Sequence, residues 1–137
     1  MPILQGAVSS FKAELPQAIH NLLSDTIKIA LYTANADLGP ATTAYTATNE
    51  VSGAGYTAGG ATLAGAAITL DGTVACITFN TASWPGSAFI ARGALIYNAS
   101  KSNRAIAVLD FGADKQSANF TVTFPVSTAS TAVLRIS

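Results

Sequence analysis

The chain reads as an all-β domain, an antiparallel β-sandwich or jelly roll with a short N-terminal helix. Three observations predict this. Seven or eight short apolar or alternating segments are separated by turn residues. Asp71-Gly72 falls between two of them and is a dipeptide that a two-residue type I′ hairpin turn prefers. Helical spacing is confined to one stretch near the N-terminus. With 137 residues, the expectation is one domain over 1–137, divided into a helical segment over 1–25 and a sandwich over 26–137.

Ser10 can cap a helix carrying Phe11, Leu15, Ala18, Ile19, Leu22 and Leu23 as an apolar stripe. Pro16 falls in its middle, so either the helix kinks there or a second short helix begins. Two uses are open for the segment: a plug over one end of the sandwich, or an arm that docks on a neighbouring subunit. Thr26 to Thr33 alternates, with Ile27, Ile29 and Leu31 on one face and Lys28 and Ala30 on the other. Ala34 to Tyr56 is long, small and polar, with Gly39-Pro40 as a turn. A loop of that length in a compact domain usually has a function, and contact with a partner is the expectation.

Ala61 to Leu70 and Thr73 to Asn80 should pair through the Asp71-Gly72 turn. That register places Ile68 opposite Ala75, Ala66 opposite Ile77 and Ala64 opposite Phe79, with Ile68, Ile77 and Phe79 buried on one face. Trp84-Pro85-Gly86 is expected to turn. Ala88 to Tyr97 and Arg104 to Phe111 are apolar on both faces, as central strands are, and Asn98 to Asn103 joins them. Phe120, Val122 and Phe124 alternate with Thr121 and Thr123 up to Pro125, and Ala132, Leu134 and Ile136 close the chain.

Charged residues are 10% of the chain, against roughly 25% in typical soluble domains. Seven basic residues balance seven acidic ones. A neutral chain lacks both the basic field that holds nucleic acid and the repulsion that keeps proteins apart. The composition points to a protein that sits against other protein. No apolar run approaches the roughly 18 residues of a membrane span, and Met1 to Gly6 resembles no signal peptide, so a cytoplasmic product with no membrane partner is expected. The triplets at Asn98 and Asn119 are then chance matches to a glycosylation acceptor. Cys76 is the lone cysteine, which excludes an intramolecular disulfide and suits a small buried hydrophobe.

Residues capable of chemistry are few. Gly53 to Ala58 fits G-x-G-x-x-[GA], but Gly59-Gly60 and a β-type segment follow where a dinucleotide site needs a helix, so turn glycines of positive φ are the better account. His20 is the lone histidine, with no serine in a nucleophile-elbow context and no second ligand for zinc nearby. Asp110 and Asp114 could form a glycosidase-like pair, although a turn role fits better, with a weak calcium contact as the alternative. Arg92 is the one charge inside an apolar strand, and Asp110 is its expected partner. No catalytic, cofactor-binding or metal-binding residue is assigned, and no cofactor is expected.

Several of these segments form an ordered pattern along the chain. Lys28 to Thr33, Tyr45, Val51 to Gly60, Trp84, Phe89 to Tyr97 and Leu109 to Gly112 follow in order. In that order the chain resembles small virion structural proteins of tailed bacteriophages and prophages. The resemblance implies a non-enzymatic capsid cement or decoration subunit, a jelly roll outside the shell with the major capsid protein as partner. It implies synthesis in the host bacterial cytoplasm and residence in the virion. The same pattern could serve a tail or head-fibre component, or a host-surface module presenting Tyr45 and Tyr56 to a glycan. The nearly uncharged surface adds an expectation of self-association as a dimer or trimer. Candidate contacts are Phe11 and Leu15 on the helix from Ser10 to Leu23, and Tyr45 and Tyr56 on the loop from Ala34 to Gly60.

Overall fold

The computed structural model describes Ile3, residues 5–124 and the backbone of residues 134–136. In chain order it contains β1 (Gly6–Ala7), α1 (Ser9–Glu14) with a following 3-10 turn (Leu15–Gln17), β2 (Ile27–Tyr32), β3 (Ala61–Thr62), β4 (Ala67–Asp71) and β5 (Val74–Thr78). After these come β6 (Ala82–Pro85), β7 (Ile90–Asn98), β8 (Arg104–Gln116), β9 (Asn119–Val122) and β10 (Leu134–Ile136). The fold is therefore mostly β, with one short helix. The strands form sheets ordered β1-β8-β7-β2-β3, β10-β5-β4 and β6-β9, and every pairing among them is antiparallel. Buried side chains from all three sheets, such as Ile29, Ile77 and Trp84, belong to one hydrophobic cluster.

The β2–β7 pair organises this core. Its register runs from Ile27 opposite Asn98 to Tyr32 opposite Gly93. Opposed residues share a face. One face therefore carries Ile27, Ile29, Leu31, Ala94, Ile96 and Asn98, and the other carries Lys28, Ala30, Tyr32, Leu95 and Tyr97. Except for Lys28, all of these are buried. A sheet buried on both faces needs a cover on each.

The helix is shorter than the apolar stripe suggests. It starts where Val8 and Ser9 donate backbone hydrogen bonds to the carbonyls of Ile106 and Pro40. Ser10 lies inside the helix rather than capping it. Pro16 is the second residue of the 3-10 turn, which Ala18 ends at φ +57°. Leu22 packs in the core, but Leu23 is exposed.

The expected Ala61 to Leu70 strand is split. Gly60 and Gly65 both adopt left-handed φ, +82° and +67°, and between them only Ala61–Thr62 remains extended, paired with β2. The hairpin forms, but Asp71 pairs with Val74, so Gly72 and Thr73 are its two turn residues. Gly72 at φ +64° ahead of Thr73 matches a type II′ turn, which takes glycine first. The register consequently places Ile68 opposite Ile77 and Leu70 opposite Ala75, two residues from the expected pairing. Ile77 and Phe79 are buried as expected, whereas Ile68 is 47% and Leu70 76% exposed. The core covers β5 but not the outer strand β4.

Two further expectations change. Trp84 and Pro85 lie in β6 opposite Phe120 and Asn119, and the turn begins only at Gly86, φ +68°. β8 continues past Phe111 to Gln116, with a bulge of four residues, 111–114, between the pairs Gly93–Asp110 and Ala91–Lys115. Asp110 stabilises the bulge by accepting the Gly112 N–H at 2.9 Å and the Arg92 Nε–H at 3.2 Å. Gly112 sits at φ +81°. The Arg92 pairing is as expected. Leu134 and Ile136 fall in β10 beside β5, while Pro125 and Ala132 lie outside the described residues.

Two glycines test this geometry. Gly72 faces open space, so Gly72→Val should cost on the order of 1 kcal/mol or more, from backbone conformation alone. A Cβ on Gly60 would lie 1.8 Å from the Ile29 carbonyl oxygen, so Gly60→Ala must displace β3 from β2. We expect it to cost about 3 kcal/mol or more in denaturant unfolding, clearly exceeding the Gly72 variant.

Candidate functional site

Two polar clusters stand on opposite faces of the β2–β7 pair, and each holds one covering segment. The first is centred on Glu50. Asn49 adopts φ +60°, a conformation asparagine tolerates, and its carbonyl accepts the Thr33 N–H at 3.0 Å. Val51 donates to the Leu31 carbonyl at 2.9 Å, so the chain runs beside the end of β2 with Glu50 opposite Tyr32. The Glu50 carboxylate accepts the Tyr45 hydroxyl at 2.6 Å, the Gly59 N–H at 2.8 Å and the Tyr56 hydroxyl. The Tyr56 oxygen in turn accepts the Leu31 N–H at 3.0 Å. Tyr97 donates to the Gly59 carbonyl at 2.6 Å and stacks on Tyr45 with ring centres 4.9 Å apart. Tyr32 donates to the Thr46 carbonyl at 2.7 Å.

All four tyrosines of the chain thus fasten the 45–60 segment to the sheet. Burial pushes each of their phenols up, and the neighbouring Glu50 carboxylate pushes in the same direction. They remain neutral donors. The Val51 to Gly60 motif gains a physical reading here: Gly55, Gly59 and Gly60, all at left-handed φ, fold the backbone so that both polar atoms of Gly59 reach the cluster.

The second cluster is centred on His20, whose side chain is fully buried. Its Nε2 lies 2.7 Å from Glu14 Oε1, and its Nδ1 lies 3.0 Å from the Asn98 side-chain nitrogen. With an N–H donor facing Nδ1, the ring proton belongs on Nε2, donated to Glu14. The same Asn98 nitrogen donates to Asp25 Oδ2 at 2.8 Å, and Asn98 Oδ1 accepts the Ser100 N–H. Lys101 Nζ donates to both Asp25 oxygens at 3.0 Å, and Arg104 donates to Glu14 Oε2 at 2.8 Å. Phe11 packs against the His20 ring with centres 5.0 Å apart. Burial alone would raise both carboxyls, but their hydrogen bonds win. Glu14 is lowered by His20 and Arg104, and Asp25 is lowered to about 2 by Asn98, the Asn21 N–H and Lys101.

These contacts relocate the residues singled out in the sequence. Phe11 is 1% exposed and belongs to the core, so it offers no outer contact surface. Leu15 is partly buried and packs against the same core. The hydroxyls of Tyr45 and Tyr56 turn inward to Glu50, and the Tyr56 ring packs on Phe89 and Trp84. Cys76 is buried, as expected. Glu50, Asn98 and the role of His20 escaped sequence reasoning. The available signal was an isolated Glu before the glycine motif and an Asn ending an apolar strand. Among the described residues no group of three or more His, Cys, Asp or Glu could hold a metal, and no helix is long and apolar enough to cross a membrane.

Two variants probe the clusters. Glu50→Gln places an amide where three donors converge, and should cost about 2–3 kcal/mol in chemical denaturation. For Asp25 the folded carboxyl, at about 2, lies below its ordinary 3.8. Its contribution is therefore complete above about pH 4 and is lost as pH falls towards 2. Asp25→Asn should lower stability at pH 7 by on the order of 1–2 kcal/mol and flatten the acid limb between pH 4 and 2. Thermal melts across that range check both effects. Comparison with protein-family models, curated proteins and solved structures finds no match to this chain.

Proposed function

We propose that this chain is a non-enzymatic virion structural protein of a tailed bacteriophage, a capsid cement or decoration subunit that stabilises the assembled shell. We read its three sheets, which share one core, as layers of an antiparallel sandwich of jelly-roll type. The resemblance of the sequence motifs supplies the virion setting. The structural observation that carries an assembly role is β4, where Ile68 and Leu70 lie side by side on one face and remain largely in solvent. Apolar side chains adjacent on a marginal strand are the kind of surface that a neighbouring protein covers.

The mechanism is burial coupled to mass action. A subunit that binds the closed shell but not its separated parts shifts the equilibrium towards the intact particle. At roughly 25 cal/mol per Å² of apolar surface, small contacts repeated over many copies resist internal pressure. The rival host-surface reading loses ground because the Tyr45 and Tyr56 hydroxyls that would meet a glycan are already bonded to Glu50.

Purified protein mixed with shells lacking it should bind in many copies per particle. With no net charge on the chain, occupancy should change little between low and high ionic strength. Ile68→Asp combined with Leu70→Asp should abolish occupancy while leaving the melting temperature within a few degrees, since neither side chain is buried. Failure to bind shells, or loss of binding in moderate salt, would reject the cement role.

A further inference from the structure

His20 sits at the centre of a charge balance. Glu14 is matched by Arg104 and Asp25 by Lys101, at contact distances of 2.8 and 3.0 Å. The four charges sum to zero with the imidazole neutral. The groups facing the ring come from several elements: Glu14 from α1, Arg104 from β8, Asn98 from β7, Lys101 from the β7–β8 turn, and Asp25 from the segment before β2. Phe11 covers one side of the ring. The ring is fully buried, and its two nitrogens face Glu14 and Asn98.

We propose that His20 is an acid-sensitive latch, whose protonation at Nδ1 releases the 18–26 segment from the end of the β7–β8 hairpin. A second ring proton would set the Nδ1–H against the Asn98 amino group, donor against donor. Asn98 cannot turn its oxygen to the ring without losing both the Asp25 carboxylate and the Ser100 N–H. The added charge would also give the cluster a net +1, with the ring buried, Glu14 and Asp25 nearly so and the two cations partly in solvent. Asp25 and Glu14 stay ionised through the range from pH 8 to 5, because both carboxyls are held low. Histidine is the side chain that ordinarily changes charge in that range. The segment's other ties to the hairpin end lie at its last two residues: Asp25 accepts from Asn98 and Lys101, and Thr26 donates to Ser100 Oγ and accepts the Ala99 N–H, while Leu22 alone among 18–26 is a buried large hydrophobe.

Amide hydrogen exchange on the full chain tests the latch, with rates corrected for intrinsic pH dependence. Protection at residues 18–26 should fall at least tenfold between pH 8 and 5, while β7 and β8 amides keep theirs. In His20→Gln, which carries no titrating group there, the same amides should show a flat profile whatever their starting protection. Nitrogen NMR of the wild-type ring gives a second readout that needs no variant. It should show the Nε2–H tautomer while the segment is protected, and imidazolium only as protection is lost. Imidazolium in a segment still protected, a flat wild-type profile, or an unchanged fall in His20→Gln would each overturn the proposal.

Discussion

The structure depends on the pairing of β2 with β7, because that pair is buried on both faces and can be stable only with a cover on each. Alternating side chains decide which cover goes where. Tyr97 and Tyr32 point to one side and meet the 45–60 segment; Asn98 points to the other and meets the segment from Glu14 to Thr26. Neither cover is regular secondary structure for most of its length. Their backbone groups cannot all be satisfied by a ladder, so carboxylates and amides supply the missing partners. Glu50 and Asp25 play equivalent roles on the two sides, each accepting at least three hydrogen bonds.

This division of labour clarifies the low charge. Of fourteen charged residues, Glu14, Asp25, Glu50, Arg92, Lys101, Arg104 and Asp110, half the total, are engaged in these clusters or in the bulge pairing of β8. Half of the charges are thus held in internal pairs, although Arg92, Lys101 and Arg104 still reach solvent in part. A neutral chain with so few charges gains little long-range electrostatic steering.

Strands whose signal is local were legible in the sequence. β2, β7 and β8 carry runs of apolar residues long enough to locate them, and Arg92 announced its carboxylate because an unpaired charge in such a strand is costly. The hairpin was legible in existence but not in register, since Asp71-Gly72 can provide either turn positions or a flanking pair. Its outer strand could not be known to lie beyond the core. Trp84 was assigned to a turn because Pro85-Gly86 follows, yet pairing with Phe120 draws it into a strand. The polar clusters were illegible for a different reason. His20 and Asn98 are 78 residues apart, and Glu14 and Arg104 are 90 apart, so no window of sequence holds both partners.

That separation has a consequence for synthesis. The segment carrying His20 leaves the ribosome 78 residues before the Asn98 that will hold it. At about 5–20 residues per second the interval is roughly 4–16 s. During that time Phe11 and Leu22, core residues in the finished fold, have no β7 to cover. The 45–60 segment similarly precedes Tyr97 by some 38 residues, counted from Gly59. Both covers are therefore made before the sheet they close is complete, and each must wait for its partner on β7 to emerge.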